Sequence, residues 1–260
     1  MAKPVRYIGL RIANVLGFVV TVIVNALANA LPLNGYYTGE LSDMYPNLFV
    51  PAGLTFAIWG VIYLLLGIFV IYQLSGIRMV VPRIRLWFVV ASLANCGWIF
   101  AWHFRYLVLS LLAMGTLLGS LIRIYVAVEI GKNAVSRMEK YCVHITFGVY
   151  LGWISVATIA NITAFLVDRD WAGFGLSDQV WAIVMVLVSV GLALMFLAAR
   201  RDIFYALVIA WALFGIIVKQ YPTSGHLPLI VAAAGGMGVV LAGILFRAPA
   251  WISYPNARRE

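Results

Sequence analysis

Tryptophan, tyrosine and asparagine recur along this chain at spacings that place them on common helical faces. Thr55, Trp59 and Tyr63 stand four residues apart, with Phe56 beside them. Ser92, Asn95, Trp98 and Trp102 share one side of a second apolar segment. Thr146, Tyr150, Trp153, Ala157 and Asn161 share a narrow face of a third. Indole and phenol rings stack on flat conjugated molecules, and a few amides orient what is stacked. These residue types therefore point to binding rather than to bond-making. The candidate binding residues are Phe56, Trp59, Tyr63, Asn95 and Trp98, with Trp102, Tyr150, Trp153, Ala157 and Asn161. The same faces would serve equally as the aromatic packing of a bundle core, and spacing alone leaves both readings open.

Groups suited to catalysis are not arranged for it. No pair of carboxylates falls inside an apolar segment, and Glu129 and Glu139 flank a loop, so general acid–base chemistry has no obvious carboxylate. No catalytic residue and no enzymatic activity are assigned. His103, His144 and His226 are far apart in sequence and in expected depth, which argues against a three-histidine metal site. His103 is expected to face solvent at the end of its helix, with ligation of a metal as the alternative. Lys219 ends a helix at the water interface, where a Schiff base lacks the desolvated pocket it needs. Cys96 and Cys142 form no CxxC pair, so neither a disulfide framework nor a zinc site is indicated.

The elements that must position these side chains are set by composition. Of 260 residues, 64% are hydrophobic and 10% charged. Soluble domains carry about 25% charged residues, so this chain is not an ordinary soluble domain. The net charge of +9 sits around apolar spans and forms no basic stripe, which excludes nucleic acid as a partner. Eight spans can be drawn, at about 8–31, 51–74, 84–103, 106–128, 142–166, 179–199, 203–219 and 227–246. The second opens with Pro51, which suits a first helical turn. The N-terminal apolar run reads as a retained first helix, not as a signal peptide. Fourteen Lys and Arg fall on one side of the spans and three on the other. That bias predicts both termini in the cytoplasm and the long loop 32–50 outside. Asn14, Thr21, Asn25 and Asn29 share one face of the first span, as glue between helices or as the lining of a polar path. Gly148 and Gly152 permit close approach of another helix, and Ser110, Gly115 and Gly119 offer small packing positions. Ala234, Gly238 and Ala242 suggest tight packing of the last span against the body or another chain. Trp171, Trp181 and Trp251 lie near span ends, where indole is favoured, and receive no binding role.

Three blocks in order carry a family resemblance. PAGLTFAIWGVIYLLLG, LANCGWIFAWHF and VYLGWISVATIANITAF resemble the three aromatic blocks of the TspO/MBR family, the translocator or tryptophan-rich sensory proteins. The resemblance covers residues 8–166. Trp59, Asn95, Trp98, Trp153 and Asn161 fall on family motif positions, and Tyr63 matches the family's tyrosine. The chain departs from the pattern in its loop, MYPNLFVPAG, which has no tryptophan, in Val149, which replaces a proline, and in three further helices. The resemblance implies a five-helix core with a pocket closed by the first loop, and a porphyrin or other tetrapyrrole as ligand.

The expectation is thus an all-α, polytopic transmembrane bundle of eight spans. Residues 1–170 form the five-helix TspO-like core; residues 171–260 add three transmembrane helices and a cytoplasmic tail. The expected function is binding of a hydrophobic, tetrapyrrole-like molecule as a sensor, carrier or regulator. A small-solute transporter and a structural, pigment-packing subunit of a membrane complex are the alternatives. The expected partners are the lipid bilayer, a hydrophobic small molecule, and a second copy of the chain or other membrane subunits. The expected location is a bacterial inner membrane.

Overall fold

The computed structural model describes residues 7–74, 80–221 and 225–252, and the side chains of these up to residue 249. Trp251 as a side chain, and Lys3, Arg6, Arg78, Arg258 and Arg259 of the charge bias, lie outside the described residues. Eight long helices run through the described chain. They are α1 (Ile8–Ala30), α2 (Ile58–Leu74), α3 (Trp87–His103), α4 (Leu107–Ala127), α5 (Ile145–Asp168), α6 (Asp178–Arg200), α7 (Ile203–Gln220) and α8 (Leu227–Ile252). Seven helical segments are long and apolar enough to cross a membrane. The chain is an all-α integral membrane protein.

The exception is α3, which has 17 residues and is about 25 Å long. The expected span 84–103 starts late. A short helix, Val80–Ile84, comes first, and Arg85 at φ 53 breaks the helix before Trp87. The second span also differs from expectation. Pro51 stands ahead of the helix rather than in its first turn, and a 3-10 turn, Gly53–Ala57, leads into α2. The reason is α7, whose Gly215 carbonyl accepts from the Ala52 N–H at 3.0 Å and holds this segment out of the helix.

Helices α1 to α5 close into a ring: α1 packs on α2 and α3, α3 on α4, α4 on α5, and α5 on α2. Helices α6, α7 and α8 pack on one another, and α7 is the one that packs along α5. The glycine pair on α5 explains this docking. A Cβ on Gly148 would stand 2.7 Å from Asp202 Oδ2, and one on Gly152 would stand 3.1 Å from the Tyr205 carbonyl oxygen. The α8 stripe of Ala234, Gly238 and Ala242 is exposed and does not pack against the body; the contact with α6 is made instead by Gly236 against Val190 and Gly243 against Leu197. On α4, Gly115 and Gly119 are likewise open and take no part in packing.

The long α1–α2 loop is not structureless. Asn34 and Gly35, both left-handed at φ 55 and 83, make a tight turn between Leu33 and Tyr36. A short helix follows at Thr38–Asp43, with the Tyr37 N–H donating to Glu40 at 2.8 Å. Leu41 is completely buried, which ties this helix to the bundle. The far end of the loop is held by α7, where Gln220 Nε2 donates to the Leu48 carbonyl at 3.1 Å.

Candidate functional site

Trp59 is the centre of an aromatic cluster built from α2, α3 and α5. Its ring stacks on Tyr63, with centroids 5.6 Å apart and planes 20° apart, and on Trp98 at 6.4 Å and 26°. Tyr150 and Trp153 present their edges to it at 6.2 and 6.4 Å. Trp98 continues the stack onto Trp102 at 6.0 Å, and Phe56 meets Trp153 edge-on at 5.7 Å. Spacings of four residues on α2 and α3 and of three on α5 turn these rings inward, and each pair is worth roughly 0.5–1.5 kcal/mol beyond its buried area.

Two cavities adjoin this cluster. One, of about 50 Å³, is lined by Trp102, Trp153, Ala157 and Asn161 with Ser42 and Asn47 of the loop. The other, of about 450 Å³, opens between α1 and α2 and is lined by Asn25, Asn29, Gly60 and Tyr63. Phe56, Trp59, Trp98 and Thr38 line both and so form the wall between them. Trp102 and Trp153 are almost fully buried, yet neither indole N–H finds a hydrogen-bond partner among the described residues. A buried unpaired donor costs about 1–3 kcal/mol. Both indoles belong to the lining of the smaller cavity, which also carries the polar side chains of Thr38, Ser42, Asn47 and Asn161.

In and around the cavities the polar residues are paired with one another. Asn25 Nδ2 donates to Asn95 Oδ1 at 2.7 Å, and Asn95 Nδ2 donates to the Tyr150 hydroxyl at 3.1 Å. The Trp98 indole N–H donates to Asn161 Oδ1 at 3.2 Å, and Asn161 Nδ2 donates to Ser110 Oγ at 3.0 Å. Asn14 Nδ2 donates to Gln73 Oε1 at 2.9 Å, and the Thr21 hydroxyl donates to the Gly17 carbonyl at 2.8 Å. In the bilayer the interhelical bonds among these average about 0.6 kcal/mol each. On α1, Asn14 and Asn25 thus bond across to other helices, Thr21 and Asn29 bond to the helix's own carbonyls at Gly17 and Asn25, and Asn25 and Asn29 also reach the larger cavity.

The sequence-derived set is therefore divided. Phe56, Trp59, Tyr63, Trp98, Trp102, Trp153, Ala157 and Asn161 line one cavity or both. Asn95 and Tyr150 line neither and support the wall from beneath. Thr55 leaves its expected face: it is buried against Gly215 of α7, and its hydroxyl donates to the Ala52 carbonyl. His103 is also corrected. It is fully buried, with Nδ1 2.8 Å from the Ile99 carbonyl and Nε2 3.3 Å from the Thr38 hydroxyl. A carbonyl only accepts, so Nδ1 carries a proton and donates it to Ile99. This histidine fastens the loop, as does the Asn34 side chain, which donates to the His103 carbonyl at 2.9 Å. Thr38, Ser42 and Asn47 are lining residues that the sequence reading does not single out. Thr38 and Ser42 stand four residues apart on the short loop helix, a segment of six residues too brief to show a periodic pattern, and Asn47 lies beyond it.

No curated protein and no solved structure matches this chain. The model of the TSPO-like protein family matches residues 11–246, so the match runs through the five-helix ring and on into α8. The order of the aromatic blocks, their convergence on Trp59 and this match over most of the chain lead to one conclusion: the chain belongs to the TSPO-like protein family.

Proposed function

We propose that the protein binds a flat, hydrophobic, acceptor-bearing molecule of porphyrin or tetrapyrrole type in its aromatic core, as a sensor, carrier or regulator. The observation that carries this reading is the aromatic lining of the smaller cavity by Trp59, Trp98, Trp102 and Trp153, the last two with indole N–H groups that have no partner among the described residues. Aromatic walls supply stacking area, and buried donors without partners select a ligand with carboxylate or carbonyl oxygens. The larger cavity, about 450 Å³, falls within the range of about 300–1,000 Å³ for small-molecule sites, whereas the 50 Å³ chamber does not. The ligand therefore enters between α1 and α2 and stacks on Trp59. Displacement of the Trp59 and Phe56 rings joins the two spaces and brings its oxygens to Trp102 and Trp153.

The test is quenching of tryptophan fluorescence by protoporphyrin, titrated on wild type, Trp102→Phe, Trp153→Phe and Trp153→Ala. Phenylalanine keeps most of the stacking area and removes the N–H, which should cost about two- to tenfold in affinity. Alanine removes the ring as well and should cost on the order of five- to 150-fold. Equal affinity in all four proteins would leave the aromatic cluster as packing. An absorption spectrum of the protein as purified is the companion measurement, since a bound pigment would identify itself.

A further inference from the structure

A third cavity lies away from the aromatic core. It measures about 280 Å³ and sits between the last turns of α5 and the first turns of α6. Ile159, Ile162 and Leu166 wall one side, and Ala182 and Met185 the other. The gap has a simple origin: α6 is held chiefly by α7 and α8, not by α5. Loop residues Pro46–Phe49 close the cavity toward the core, and Asn47 lines both this space and the Trp153 chamber.

The mouth of this cavity is aromatic and acidic. Trp171 and Trp181 pack with centroids 5.1 Å apart, and the Trp181 N–H is fixed to the Gly173 carbonyl at 2.8 Å. Phe174, left-handed at φ 53 between two left-handed glycines, is exposed and lies edge-on against Trp171. Aromatic residues of this kind mark the headgroup level of a bilayer. Asp178 lines the same cavity, is exposed, and has no hydrogen-bond or ion-pair partner among the described residues. The surrounding segment adds Asp168 and Asp170 against a single cation, Arg169, which pairs with Asp168 at 3.8 Å.

We propose that this cavity holds a bilayer phospholipid with an amine head group. One acyl chain lies between α5 and α6, and the ammonium meets Asp178 beside the Trp171 and Trp181 rings. Aliphatic walls that open at the headgroup level accept a hydrocarbon chain and exclude water. A carboxylate without a countercharge attracts an ammonium and repels an anionic head group, and indole faces favour a cation as well. The site is separate from the aromatic core and does not rest on the binding proposed there.

Native mass spectrometry of the full-length protein in detergent tests this, with phosphatidylethanolamine or phosphatidylglycerol of identical chains added. Wild type should retain one phosphatidylethanolamine and hold phosphatidylglycerol about two- to fivefold less well, the range of a solvent-accessible ion pair. Asp178→Asn should erase the preference and keep the retention. Thr163→Phe, which fills the cavity from α5, should lose retention of both lipids. Brominated phosphatidylethanolamine provides a readout on the unmodified protein, because a chain in this cavity quenches Trp171 and Trp181 in one saturable step. Equal retention of both lipids by wild type, retention by Thr163→Phe as in wild type, or no saturable quenching would each overturn the proposal.

Discussion

Asp202 shows how much one side chain ties together. It lies between α6 and α7, where Oδ1 accepts from the Phe204 and Tyr205 N–H groups at 3.1 and 3.0 Å and so caps α7. Its other oxygen accepts from the Tyr125 hydroxyl of α4 at 2.9 Å and rests against Gly148 of α5. Burial pushes its carboxyl up from 3.8 to about 6, even though these three donors pull the other way. The folded protein thus holds this proton more tightly than the unfolded chain does. Its contribution to stability is complete below about pH 4 and is lost as pH rises through about 6. Asparagine at this position keeps an oxygen for the two N–H groups and cannot titrate. The melting temperature of wild type relative to Asp202→Asn should therefore fall between pH 4 and pH 6. A difference that stays flat over this interval would mean that the carboxyl does not titrate there.

Among the elements, α7 has the widest reach. One end is capped by Asp202; further along, the Trp211 N–H donates to the Thr55 carbonyl at 3.0 Å. Gly215 meets the Pro51–Thr55 segment, and Lys219 pairs with Asp43 of the loop at 3.4 Å. The helix therefore touches both the entry to α2, which carries Phe56, and the loop that borders both cavities. Its seat on α5 is made by the absence of side chains. Gly148→Ala should gain helix propensity of up to about 1 kcal/mol yet lose more, roughly 1–3 kcal/mol, by pressing on a carboxylate fixed by three donors. Gly115→Ala, with nothing within 4 Å, gains the propensity alone. Thermal melts should separate the two in opposite directions; a Gly148→Ala protein as stable as Gly115→Ala would show that the contact is loose.

For the whole molecule the division of the chain is a proposal: residues 1–170 insert and fold as a unit, and the last three helices brace it. Ring closure by α1 to α5 motivates this. Truncation after Asp170 should yield a folded but less stable protein, with the loop opened to protease at Leu48, where the Gln220 contact is lost. Complete absence of folded protein, with the full chain normal, would make α6 to α8 part of the core. Orientation is a second proposal at this scale. The loop of α1–α2, Arg105, Lys219 and His103 meet at one end, through Arg105 to Tyr45 at 3.3 Å and Lys219 to Asp43. Arg83, Glu129 and Glu139 form ion pairs at the other. Reporter fusions at Lys132 and Arg201 should read cytoplasmic, and fusions at Gly39 and Gly173 external. A cytoplasmic signal at Gly39 would reverse the orientation.

The amino-acid sequence by itself determined the class, the long helices and the inward rings. Apolar length is a one-dimensional property, and a four-residue spacing fixes which side chains share a face before any helix has a neighbour. That is why Trp59, Trp98, Trp153 and Asn161 could be read as one site from three separate stretches. What each face meets is a property of the bundle, and only the tertiary structure decided it. It turned Thr55 toward α7, buried His103 under the loop, and used Asn95 and Tyr150 as supports beneath the cavity wall. It assigned the Gly148 and Gly152 face to α7 and left Gly115 and Gly119 open. It also made Trp171 and Trp181, which sequence position suits to the membrane surface, the mouth of a cavity. That cavity exists because α6 packs elsewhere, a fact of three-dimensional packing that no local pattern encodes.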